Sequence, residues 1–213
     1  FNMRTAFTVL VLAMLAIATN AHYSTELPEV FAVGCSPSSP VLPSQYTVAF
    51  SEYITGGILL TDNNPYWADG YIYTDFNAKK CRADAVYNGG ITSTIFDYDA
   101  HTATVTSMSG GEIGCSTTAW PIPMPTQDML DSFEFAGVAF LPTAGLCNVW
   151  EGSIGPVNMQ IYTDVVTGAP AAEVTDSVFM YFFGFQETVN DDVFETPSMC
   201  GSDRHTARST AGV

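Results

Sequence analysis

Three histidines and 22 carboxylates are the side chains here that could do acid–base or metal chemistry. His22 and His205 lie toward the two ends, and only His101 sits in the body of the chain, between Asp97 and Asp99 on one side and a β-branched run on the other. Nucleophilic catalysis needs a base held against a nucleophile by a third group. No G-x-S-x-G turn accompanies His101, so an exposed turn histidine is the expectation. Three histidines with no paired spacing do not supply a zinc site. A carboxylate pair for glycoside hydrolysis needs only two acids at the right separation, so a secreted hydrolase stays open as a third reading. Calcium takes six to eight oxygens, and three acidic groups offer some: Asp62-Asn63-Asn64 with Asp69, Asp97 with Asp99, and Asp191-Asp192 with Glu195. None follows the D-x-[DN]-x-[DN]-G pattern. Neither a dinucleotide-binding nor a phosphate-loop glycine pattern occurs, so no cofactor is expected beyond this calcium option.

The aromatic residues are more suggestive. Phe179, Tyr181, Phe183 and Phe185 alternate along one run, Phe133 and Phe135 along a second, and Tyr71 and Tyr73 along a third. Alternation at period two places each set on one face of a strand. Such faces either pack as a sandwich core or line an apolar cavity. Tyr71, Tyr73, Phe133, Phe135, Trp150, Tyr181, Phe183 and Phe185 are the expected lining of that cavity.

Those residues must be positioned by strands. Gln45 to Ile54 alternates, Tyr71 to Thr74 is aromatic and β-branched, and Ile91 to Tyr98 and Thr102 to Met108 are rich in Thr, Ile and Val. Further strands are expected at Ile58–Asp62, Arg82–Tyr87, around Cys115, and over 133–141, 146–151, 158–166 and 178–188. Turn residues punctuate them: Asn88-Gly89 suits a type I′ hairpin, Pro142 to Gly145 joins two strands, and Thr126 could cap a short helical turn over 127–131. Regular short strands without a long helical period predict an all-β fold of two stacked, curved antiparallel sheets, a half-open barrel or sandwich with little helix.

Met3 to Ala21 reads as a secretory leader: Arg4, an apolar run, then Thr19-Asn20-Ala21. The run is shorter than the roughly 20 residues that span a bilayer. Residues 1–21 are expected to be removed, 22–200 to form one domain, and 201–213 to be a disordered tail. The expected location is extracellular, with no stable membrane span. A net charge of −16 repels nucleic acid, whose phosphates need Lys and Arg. In that compartment the five cysteines default to disulfides. An odd number leaves one thiol over, which could be buried or could link two chains as a homodimer.

The second half resembles the secreted ependymin-related proteins, a family akin to LolA-like lipoprotein carriers. The similar stretches are Pro125 with Phe133-Glu-Phe-Ala-Gly137, Gly145-Leu-Cys-Asn-Val-Trp-Glu-Gly152, and the ending from Asp191-Asp192 through Phe194 and Pro197 to Cys200. Cys35-Ser-Pro, before the first strand, is similar too. The resemblance covers roughly Cys35 to Cys200. It implies two curved sheets around an apolar pocket, secretion, calcium association and a lipid or other hydrophobic ligand. It also implies Cys35–Cys147 and Cys115–Cys200 bridges, leaving Cys81 unpaired, which departs from an evenly bridged pattern. The resulting expectation is a non-enzymatic binding protein for a hydrophobic, lipid-like small molecule. The alternative is an extracellular calcium-associated structural or adhesive protein.

Overall fold

The computed structural model of the chain describes residues 29–31, 36–54, 66–87, 90–154, 157–176 and 178–200. The expected leader, tail, Ile58–Asp62 strand and Asn88-Gly89 turn lie outside the described residues.

The described chain is all-β. Its strands are β1 (Val30–Phe31), β2 (Gln45–Ile54), β3 (Tyr66–Asp75), β4 (Lys80–Tyr87), β5 (Gly90–Asp97), β6 (Thr102–Ser109), β7 (Glu112–Ala119), β8 (Glu134–Leu141), β9 (Gly145–Ile154), β10 (Val157–Asp164), β11 (Pro170–Thr175) and β12 (Val178–Gln186). Helix among the described residues is confined to three 3-10 turns, Met129–Ser132, Asp191–Phe194 and Ser198–Cys200.

Two meanders build the sheet. β2 to β7 pair in sequence order, and so do β8 to β12. β12 then pairs antiparallel with β2, so the hydrogen-bonded order is β1-β8-β9-β10-β11-β12-β2-β3-β4-β5-β6-β7. The all-β, antiparallel class with little helix is as expected, and the count of sheets is corrected. The backbone ladder crosses without a break from one meander to the other, giving a single 12-stranded sheet that does not close into a barrel. The segment between β7 and β8, residues 120–133, returns the chain across the inner face of this sheet. Its prolines 121, 123 and 125 lack the N–H that a ladder needs, so it stays an extended strap.

Two residue types explain most of the local structure. β-branched and aromatic residues fill β5, β6, β10 and β12, where they suit a pleated surface. Glycines appear where backbone must bend or approach closely. Gly184 has φ +64 in a register break of β12. At Gly70 an added Cβ would lie 2.0 Å from the Asp84 carbonyl oxygen.

The core divides about the sheet. On the inner face of the β2–β6 half, Val48, Phe50, Ile72 and Phe96 pack with Met180 of β12 and with Trp120 of the strap. Phe96 and Trp120 have ring centroids 5.5 Å apart. On the inner face of the other half, Leu130 and Phe133 pack on Trp150, Met159 and Ile161. The opposite face of β8–β12 buries Val149, Tyr162, Ala172, Phe179 and Tyr181. Cys115 of β7 is bonded to Cys200 in the last 3-10 turn. The preceding turn is pinned to β4 by Arg82, whose guanidinium donates to the Val193 carbonyl at 2.6 Å.

Candidate functional site: an apolar cavity inside the curved sheet

A cavity of about 710 Å³ lies between the strap and the inner face of the sheet. Its wall has three parts. The first meander contributes Tyr46, Val48, Ile72, Thr74, Cys81 and Tyr98. The strap contributes Ile122 to Thr126, then Met129, Leu130 and Phe133. The second meander contributes Met159, Ile161, Glu173 and Phe182. Cavities that hold small molecules span roughly 300–1,000 Å³ and are mostly apolar with a few polar groups. This one has that character.

Register explains which side chains reach it. Directly paired residues share a face. Tyr46, Val48 and Phe50 pair with Thr74, Ile72 and Gly70, and Thr74 pairs in turn with Cys81, so all of them face inward. Phe50 and Phe182 pair across the seam between the meanders.

The same rule sorts the expected lining residues. Phe133 lines the cavity. Phe135 and Trp150 pack beside it on the inner face, with ring centroids 5.5 Å apart. The Trp150 indole donates to Thr163 Oγ1 at 2.9 Å. Phe185 also turns inward, stacking on Tyr46 at 5.5 Å.

The remaining four face away. Tyr71 and Tyr73 stack on each other at 6.2 Å on the outer face, and Tyr71 is 51% exposed. Their neighbours Ile72 and Thr74 hold the inner positions instead. Tyr181 belongs to the opposite core with Val149 and Tyr162, and Phe183 is 44% exposed. Phe182, between them, is the β12 residue that reaches the cavity. Alternation identifies two faces of a strand but does not say which one turns inward.

The polar groups at the cavity are few. The Tyr46 phenol is pushed well above its ordinary range by burial, against the opposing effect of its hydrogen bond with Thr74. Burial likewise pushes the Cys81 thiol up to about 12, again opposed by Thr74. Cys81 is 3% exposed, so it is a wall residue rather than a surface thiol able to link chains. Glu173 is the carboxylate among the described residues that line the cavity, and desolvation there pushes its carboxyl up to about 7.

Glu173 is missing from the sequence-based expectations because β11 is. Pro170-Ala-Ala-Glu173 has poor strand propensity, yet Pro170 is tolerated as the first residue of a strand. The legible signal was period two: Ala172 and Val174 flank Glu173 and pack on the opposite core.

The other groups that could do acid–base or metal chemistry are not brought together. His101 is exposed in a turn with φ +53. Asp97 accepts from the Ala100 amide at 2.8 Å and lies 3.6 Å from Lys80 Nζ, while Asp99 accepts from Lys79 Nζ at 2.7 Å. Asp191 and Asp192 form an exposed 3-10 turn capped by Asn190. Among the described residues no group of three His, Cys, Asp or Glu side chains could hold a metal ion. Asp62, Asn63 and Asn64 lie outside the described residues.

Among the expected bridges, Cys115–Cys200 is formed. Cys147 is a buried free thiol that donates to the Gly145 carbonyl at 3.7 Å, and burial pushes it up to about 11. Cys35 lies outside the described residues. Among the described residues no helix is long and apolar enough to cross a membrane.

No family model matches this chain, and no curated protein matches it. Among solved structures it is similar to an uncharacterized conserved protein from Thermus thermophilus, with a TM-score of 0.46 and 13% identity over 73% of this chain and 87% of that one. It is also similar to PNGF-II in two crystal forms, with TM-scores of 0.33 and identities of 8% and 10%. These matches cover 72% and 70% of this chain but span only 30% and 29% of the PNGF-II chain.

Proposed function

We propose that this protein is a secreted, non-enzymatic carrier that holds a hydrophobic, lipid-like molecule between its strap and its curved sheet. One observation carries the reading: the cavity of about 710 Å³, walled mainly by aliphatic and aromatic side chains. An aliphatic chain moved there from water gains roughly 0.8 kcal/mol per buried CH₂. The resemblance to ependymin-related and LolA-like proteins points the same way, and so does the leader that the sequence predicts.

The test is displacement of a neutral apolar fluorophore, N-phenyl-1-naphthylamine, by straight-chain alcohols of increasing length. Affinity should rise roughly three- to fourfold per added methylene, then level off when the cavity is filled. Organic extraction of the purified protein should release an apolar molecule. Fluorophore binding that no alcohol displaces, with nothing in the extract, would overturn the reading.

A further inference from the structure

Glu173 is out of keeping with the wall it belongs to. Its cross-strand neighbours on the inner face are Ile161 and Met180, both buried and apolar. No hydrogen bond or ion pair from a described residue reaches its carboxylate. Among the described residues no Lys, Arg or His lines the cavity. The three described cations are engaged with acids of their own, Lys79 with Asp99, Lys80 with Asp97 and Arg82 with Asp84. Glu173 is itself half-buried and opens onto the cavity, so part of the desolvation cost of its charge remains and no described side chain offsets it.

We propose that Glu173 is the headgroup site of this cavity and that the ligand is an apolar chain ending in a basic nitrogen, a long-chain amine. The proposal rests on the carrier reading and specifies its ligand. An ammonium brought in on an aliphatic chain supplies the missing counter-charge, and a charge-assisted hydrogen bond in a low-dielectric site is about twice as strong as a neutral one. A fatty-acid anion finds the reverse: a like charge at the wall, no cation lining it among the described residues, and a chain of net charge −16 around it. An alcohol can donate one hydrogen bond and no charge.

The other titratable groups lining the cavity do not supply a counter-charge. Tyr46, Cys81 and Tyr98 are neutral, since burial pushes all three up. Glu52 of β2 lies on the same face, on the far side of Met180, and is another acid. The free site therefore holds its proton near neutrality, with the Glu173 carboxyl at about 7, and binding of an ammonium expels it.

Decylamine, decanol and decanoate, each displacing N-phenyl-1-naphthylamine from the full chain, separate the cases. At pH 8 decylamine should bind at least tenfold more tightly than decanol, with decanoate weakest. Its affinity should fall roughly tenfold per pH unit between pH 7 and pH 5, while that of decanol stays flat. Glu173→Gln should abolish the decylamine advantage and leave decanol binding in place. Equal binding of decylamine and decanol, or tightest binding of decanoate, overturns the proposal and leaves the carrier reading standing. Failure of all three to displace the fluorophore removes the carrier reading itself. Should the variant not fold, calorimetry of the wild-type protein at pH 6 in two buffers of different ionisation enthalpy decides. It should show release of about one proton per decylamine bound and none per decanol; no release with decylamine overturns the proposal.

Discussion

Phe182 and Phe185 lie on the same inner face of β12 although three positions separate them. Phe182 lines the cavity, and Phe185 stacks on the inward-facing Tyr46 with rings tilted by 26°. An unbroken strand would put them on opposite faces. The register of β12 against β2 shifts between Phe183 and Gln186, and Gly184 at φ +64 takes up the extra residue. This β-bulge re-aims the aromatic end of the strand toward the cavity.

Gly184→Ala should therefore destabilise the fold by about 1 kcal/mol, the cost of a left-handed backbone for a residue with a Cβ. An added Cβ there meets nothing within 4 Å, so no steric penalty is added. Urea unfolding should show a lower midpoint at unchanged slope. An unchanged midpoint would mean that the bulge does not need glycine.

Gly152→Ala acts through a contact instead. A Cβ at this position would come within 2.6 Å of the Phe133 ring, which forms part of the cavity wall. The ring must shift, so the expected cost is about 1–3 kcal/mol, typical of overpacking. Binding of N-phenyl-1-naphthylamine should change along with the urea midpoint. Loss of stability with binding unaltered would separate Phe133 from the ligand space.

These two glycines mark where sequence reasoning stops. Strand identity was legible, because β2, β5, β6 and β12 alternate or are rich in β-branched and aromatic residues. The direction of each face was not. Tyr71 and Tyr73 are as aromatic as Phe182, and only the pairing of Thr74 and Ile72 with Tyr46 and Val48 turns their side of β3 outward. The continuity of the sheet depends on the β12–β2 pairing, made between residues far apart in sequence that no local pattern announces. β11 was hidden by Pro and Ala, and with it the carboxylate that gives the cavity its polarity.

The Cys115–Cys200 bridge closes a loop of 85 residues and ties the C-terminal turns to the edge strand β7. Removing such a cross-link costs about 2–5 kcal/mol. Cys200→Ser should lower the thermal midpoint and loosen the Arg82–Val193 contact, exposing Phe194, which is 7% exposed in the intact fold. Peptide mapping after brief iodoacetamide treatment should find Cys81 unmodified in the native protein, since its thiol is buried and pushed up to about 12. Rapid native alkylation of Cys81 would contradict its place in the cavity wall.

Glu173 should also set how stability depends on pH in the absence of ligand. Its carboxyl titrates near 7 when folded and near its ordinary 4.5 when unfolded. Between those values the folded state binds the extra proton, so stability falls as pH rises from about 4.5 to about 7 and stays lower above that. A shift of this size corresponds to about 3 kcal/mol at most. Glu173→Gln removes the charge and keeps the shape, so the variant should match the wild type at pH 4 and exceed it by up to about 3 kcal/mol at pH 8. Urea unfolding at both values measures the difference. Decylamine at saturating concentration should raise wild-type stability most at pH 8, where the folded carboxylate is ionised, and should do less for the variant. Parallel pH profiles for the two proteins would place the Glu173 carboxylate in water rather than within the cavity wall.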